Sequence, residues 1–162
     1  VQTYWKEFSN IDVYYTGDYA IQDEDGYYYV LGRADEVIKV AAHRLGTREI
    51  EELLNSHKAI AENMVIGIAD EVKGQVPLVL VVLNEMKEEL IQLIRDGIGP
   101  IAKPKDILHV SRLPKTRSGK VMRRIIKSIA EEKELGDLST IEDRSAVEEV
   151  RNAINIVLKQ ND

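Results

Sequence analysis

The chain has 162 residues, a formal net charge of -6 and no cysteine, so disulfides, thiolate metal sites and a cysteine nucleophile are excluded. Hydrophobic residues make up 44% and charged residues 31%, a composition that folds into one sizeable core rather than staying disordered. The acidic balance disfavours general nucleic-acid binding, which rewards a basic face, and no apolar run reaches the ~20 residues that span a bilayer.

A strand-like pattern opens almost at Val1, as if the chain were entered mid-protein, and a fragment is expected. From Val13 to Leu31, aromatic and β-branched residues flank "DEDG", which predicts two strands joined by a turn. The aspartates do not make an EF-hand, because the required Glu six residues beyond Gly26 is Gly32. A linker beginning at Gly32 leads into a small two-stranded ribbon through Leu45. From Thr47 the spacing turns helical, with Thr47 placed to cap free amides and Ile50, Leu53, Leu54 and His57 on one stripe.

"IAENMVIGIAD" and "QVPLVLVVLNE" predict two antiparallel strands, with Pro77 near the start of the second, where a missing amide is tolerated. A helix over about 87–96 ends at Gly97, Gly99 and Pro100, and "DILHV" predicts a further strand. Helices follow from Met122 to about Lys133 and from about Ser145 to Lys159, each with an apolar stripe. The expected fold class is α+β: a small mixed or antiparallel sheet with helices packed on it, plus the two-stranded ribbon.

"LPKTRSGKVMRR" gathers Lys115, Arg117, Lys120, Arg123 and Arg124 around Ser118-Gly119. It is not a P-loop, since Pro114 and Val121 stand where that motif needs Gly and Ser or Thr. Lys120 sits on a turn just before a helix, an arrangement able to aim an ammonium at an anion. From the residue types alone a solvated basic surface is the favoured reading, since that is what most charge runs are.

Taken with "YYTGDYAIQDEDGYYYVLGRADEVIKVAAHRLGTREIEELL", the basic loop resembles the carboxy-terminal part of the AMP-forming acyl-CoA synthetases of the adenylate-forming superfamily. "HRLGTREIE", "IGPIAKP" and "LGDLST" are similar to its acetyl-/propionyl-CoA synthetase branch. The resemblance implies residues 1–34 as the end of the amino-terminal adenylating domain, residues 35–162 as a mobile carboxy-terminal domain, and a hinge at Asp35. It implies that Asp18 holds the adenylate ribose hydroxyls, that Arg33 contacts the ribose and phosphate region, and that Lys120 reaches the α-phosphate and substrate carboxylate. Ala42, Arg44 and Arg95 would line the coenzyme A side. Ala42 departs from the branch, which has glycine there, and its added methyl is expected to crowd the pantetheine tunnel or restrict positive backbone dihedrals.

The implied substrates are ATP and CoA with a short carboxylic acid such as acetate or propionate. Mg2+ is expected with ATP, with no ligands identifiable in this chain. The implied partner is the amino-terminal adenylating domain, without which the isolated chain is expected to be inactive; nucleic acid and membrane are not expected, and a cytoplasmic location is. The alternative is a stand-alone module that docks on a separate adenylating subunit. His43 and His57 have no second ligand at metal-binding spacing, and Tyr14, Tyr15, Tyr19, Tyr27, Tyr28 and Tyr29 are expected to serve ordinary sheet packing.

Overall fold

The computed structural model of the chain describes residues 14–82 and 87–159. The strand-like opening over residues 1–13, and the end of the second long apolar run at 83–85, lie outside the described residues.

Strands β1 (Asp18–Gln22) and β2 (Tyr28–Arg33) form a separate two-stranded antiparallel sheet, with a register shift between Tyr19 and Ala20. The turn between them is built as its composition requires: Asp23 Oδ1 accepts the N–H groups of Asp25 and Tyr27, and Gly26 takes φ 88. The tyrosines are not packed as expected. Tyr27, Tyr28 and Tyr29 are 68%, 71% and 53% exposed, because among the described residues no layer covers these positions of the two-stranded sheet.

After a 3-10 turn (Ala34–Glu36), β3 (Ile38–Val40) and β4 (His43–Leu45) make the expected ribbon. It joins the main sheet where Val40 pairs with Gly74 of β6 (Gly74–Val82). Strand β5 (Glu62–Asp70) runs antiparallel along the full length of β6, and β7 (Ile107–His109) lies parallel to Val79–Val81 on the other edge of β6.

Helices α1 (Thr47–Asn55) and α2 (Lys87–Gly97) cover one face of this sheet; α3 (Arg123–Ala130) and α4 (Arg144–Lys159) cover the other. The alternation of β6 follows from that layering. Val76, Leu78 and Leu80 enter the core under α3 and α4, while Val79 and Val81 enter the core under α1 and α2. Ile50, Leu54, Leu90 and Ile94 close the second core, each with no exposed surface, and each such burial is worth roughly 1.5–3 kcal/mol.

Two helix ends differ from the sequence reading. Thr47 does not cap α1: Gly46 holds the cap position, no side chain bonds there, and Thr47 is buried inside the first turn. Helix α3 stops at Ala130, short of Lys133. Glu132 turns left-handed (φ 52) while its N–H donates to Ile129 O at 3.1 Å and that of Lys133 donates to Ser128 O at 2.8 Å. That bond pair is a Schellman closure made without the usual glycine.

Candidate functional site

The first cluster is built by the β1–β2 hairpin. Asp18 and Arg33 are cross-strand partners, and the Arg33 guanidinium lies 4.0 Å from Asp18 Oδ1. Nη1 of Arg33 donates to Thr16 O at 3.0 Å, and Nε donates to Asp35 Oδ1 at 3.2 Å. The N–H of Ala34 donates to Gly17 O at 2.8 Å, which ties the end of β2 back to the entry of β1. Asp18, Arg33 and Asp35 are thus brought together as two carboxylates around one guanidinium, all exposed and able to meet a polar ligand.

Lys120 stands on a different element. A bridge between Lys115 and Val121 closes a small loop in which Thr116 N donates to Lys120 O at 2.9 Å, Gly119 N to Thr116 O at 2.8 Å, and Lys120 N to Thr116 Oγ1 at 3.1 Å. The backbone of Lys120 is therefore fixed while its side chain is exposed. Its charged neighbours are not a uniformly solvated surface: Lys115 is bonded to Glu62, and Arg124 donates to Leu135 O and Asp137 O.

Arg123 is the residue that sequence reasoning missed, having been grouped with the surface cations. Its Nη1 donates to Val65 O at 2.5 Å, Nη2 lies 2.9 Å from Glu51 Oε1, and Nε lies 3.1 Å from Glu36 Oε1. The side chain is 19% exposed and Glu51 16%. Burial pushes the Glu51 carboxyl above its ordinary value, with the Arg123 charge and the Val65 N–H pulling it back. No periodic pattern links Glu36, Glu51 and Arg123, and only the position of Arg123 three residues after Lys120 could have drawn attention to it. Glu36, Met64 and Met122 line one groove with Lys120 and Arg123.

The ribbon carries Ala42 and Arg44, both exposed. The positive backbone dihedral at the β3–β4 turn falls on Ala41 (φ 53), not on Ala42, so the backbone restriction expected at Ala42 is found one residue earlier. Ala41 N donates to Lys73 O at 2.7 Å, which holds that conformation. Arg44 and Arg33 line one cleft between the hairpin and α1, together with Arg48, Glu49 and Glu52. Arg95 is exposed in the last turn of α2, in the layer opposite the one that Val121 and Met122 join beside Lys120. The structure thus gathers Asp18, Arg33 and Asp35, places Arg44 on the cleft that Arg33 also lines, and leaves Lys120 and Arg95 apart.

Among the described residues no three His, Cys, Asp or Glu side chains cluster to hold a metal ion, and His57 instead bonds Glu89 at 3.2 Å. No helix among them is long and apolar enough to cross a membrane.

Residues 49–120 match the AMP-binding enzyme C-terminal domain family. The chain is 52% identical over 160 residues to the acetyl-coenzyme A synthetase of Pyrobaculum aerophilum, an alignment covering 94% of this chain and 24% of that protein. It is 44% identical over 166 residues to the propionate--CoA ligase of Escherichia coli, covering 95% of this chain and 26% of that protein. Among solved structures, the anthranilate CoA ligase AuaEII in complex with anthranoyl-AMP superposes with a TM-score of 0.63 at 31% identity, over 71% of this chain and 24% of that one.

Residues 49–120 thus carry the AMP-binding enzyme C-terminal domain, and the α+β fold around them is the one found in such enzymes. The relatives at 52% and 44% identity are named acetyl-coenzyme A synthetase and propionate--CoA ligase, and the chain spans about a quarter of the length of the curated relatives it matches.

Proposed function

We propose that this chain supplies the mobile carboxy-terminal part of a short-chain acyl-CoA synthetase, with acetate or propionate as the acid. In the first half-reaction a carboxylate oxygen attacks the α-phosphorus of ATP, pyrophosphate leaves, and an acyl-adenylate forms. In the second, the thiol of CoA attacks the acyl carbonyl, AMP leaves, and the thiol proton passes to solvent. The names of the similar proteins support the acid class.

Asp18 suits the ribose, because an ionised carboxylate accepts from two hydroxyls at once, and Arg33 suits the adjoining phosphate region. Asp35 serves as the hinge between residues 1–34 and 35–162, at the point where the two-stranded sheet gives way to the 3-10 turn. Lys120 meets the α-phosphate and the attacking carboxylate, two anions whose approach a fixed cation favours. After rotation, Ala42 and Arg44 on the ribbon and Arg95 on α2 face the CoA side. Mg2+ is expected to arrive with ATP, and we assign it no ligand in this chain. The remaining partner is the amino-terminal adenylating domain, in the cytoplasm, and the isolated chain does not turn over.

The single observation that carries this reading is the presentation of Lys120: an exposed ammonium on a backbone held by three local hydrogen bonds, beside Lys115 and Arg124, which are held by protein acceptors. The test is Lys120→Ala in the complete synthetase, this chain joined to the adenylating domain. Carboxylate-dependent ATP–pyrophosphate exchange is expected to fall about 100- to 1,000-fold, as for comparable electrostatic donors. Thioester formation from supplied acyl-adenylate should persist. Equal loss in both half-reactions would sink the division of labour.

A further inference from the structure

We infer that Arg123 is a positioning residue for the adenylation step, fixing the Lys120 loop to the hinge by bonding Glu36, the residue that follows Asp35. The inference rests on the roles proposed above for Lys120 and Asp35, and on a geometry those roles do not require.

Rotation about one residue moves everything beyond it. The moving part delivers a side chain accurately only if the segment just past the pivot is rigidly joined to the element carrying that side chain. Here the segment past the pivot is a single turn of 3-10 helix with no buried residue, so packing alone does not hold it. The missing attachment is supplied by Arg123.

Its guanidinium has donors directed three ways: Nε to Glu36 in the turn, Nη2 to Glu51 on α1, and Nη1 to the carbonyl of Val65 on β5. Glu51 is itself held, since its Oε1 accepts the N–H of Val65 at 2.8 Å. A planar fork with donors on three sides makes this junction, whereas an ammonium on a flexible stem does not.

Arg123 begins α3, directly after the loop that carries Lys120, and Met122 N donates to Pro114 O at 2.8 Å across the base of that loop. The route from pivot to reactive ammonium is therefore short: Asp35, Glu36, the Arg123 guanidinium, the start of α3, Lys120. All these contacts are on the C-terminal side of the pivot, so they persist through the rotation and do not act as a latch. A misplacement of 1 Å in a reacting constellation costs about 100-fold in rate, and the junction guards against it.

The experiment uses Glu36→Gln, Glu36→Ala and Lys120→Ala in the complete synthetase. It measures kcat and KM for ATP in carboxylate-dependent pyrophosphate exchange, together with the Tm of each variant. Glu36→Ala is expected to lower kcat for exchange about 10-fold with KM for ATP and Tm near the parent values, and Glu36→Gln, which keeps one acceptor oxygen, should recover part of the loss. An unchanged kcat in Glu36→Ala, or a loss that only follows a lowered Tm, would overturn the positioning role. Lys120→Ala reads the underlying assignment separately. If it retains full exchange activity, the proposed function fails, whereas full loss in Lys120→Ala beside parental rates in Glu36→Ala rejects the Arg123 inference alone.

Discussion

Gly17 lies directly against the guanidinium of Arg33: a Cβ added at Gly17 would stand 3.1 Å from Arg33 Nη2 and 3.3 Å from its Cζ. Gly17 also takes φ 76, a conformation that costs an L-residue roughly 1–2 kcal/mol. Gly17→Ala therefore combines backbone strain with displacement of the arginine from Thr16 O and Asp35. The Ala34 amide, bonded to Gly17 O, reports on it. Its hydrogen-exchange protection is expected to drop about 5- to 30-fold, the equivalent of that strain, and KM for ATP in the complete synthetase should rise several-fold. Unchanged protection would mean that the hairpin entry relaxes without cost.

The β3–β4 turn separates two adjacent alanines that look interchangeable in the sequence. Ala41 pays for a left-handed dihedral (φ 53) and Ala42 does not. Ala41→Gly is expected to stabilise the fold by about 1 kcal/mol, because glycine relieves the Cβ clash. Ala42→Gly should destabilise by about 0.5 kcal/mol through the added freedom of the unfolded chain. Urea unfolding of the two variants side by side checks the assignment, and opposite signs are the expected result. Stabilisation by Ala42→Gly instead would place the strain at the wrong residue.

Glu51 sets a pH dependence with a definite sign. Its folded carboxyl is raised, chiefly by burial, so its contribution to stability is fully present below the unfolded value of about 4.3 and is lost as pH climbs through the folded value. Glu51→Gln removes the titration while keeping an oxygen to accept from Arg123. The Tm of the parent minus that of Glu51→Gln should decline between pH 4 and pH 7. An increase over that range would show that attraction to Arg123 outweighs burial.

The elements that were legible in the sequence are those governed by short-range rules. The β1–β2 turn followed from "DEDG", the β5–β6 pair from two β-rich runs, and α1 and α4 from apolar stripes at helical spacing. What escaped depended on partners distant in the chain or on unusual local choices. The end of α3 was hidden because Glu132, not a glycine, takes the left-handed closing position. Arg123 looked like one more surface cation because its partners Glu36, Glu51 and Val65 lie 58 or more residues away. The hairpin tyrosines gave the right strands and the wrong surroundings, since a period of two says which residues share a face and not whether anything covers that face.

Strand β6 is apolar on both faces, and this poses a problem of alignment that an ordinary half-exposed strand avoids. Sliding β5 by one residue against β6 would exchange Val and Ile positions between two oily environments, so hydrophobicity by itself discriminates weakly between the correct pairing and its neighbour. Two local devices supply the discrimination. Gly67 is the position where Ile38 presses in, a Cβ there would meet Ile38 at 3.2 Å, and a slip would bring Ile66 or Ile68 to that spot. Three residues further on, at the end of β5, the Asp70 carboxylate accepts the N–H groups of Val72 and Lys73 and fixes where the chain reverses. The frame of the sheet is thus keyed by one absent side chain and one acidic turn, both on β5, and the facing strand β6 is free to be almost uniformly apolar.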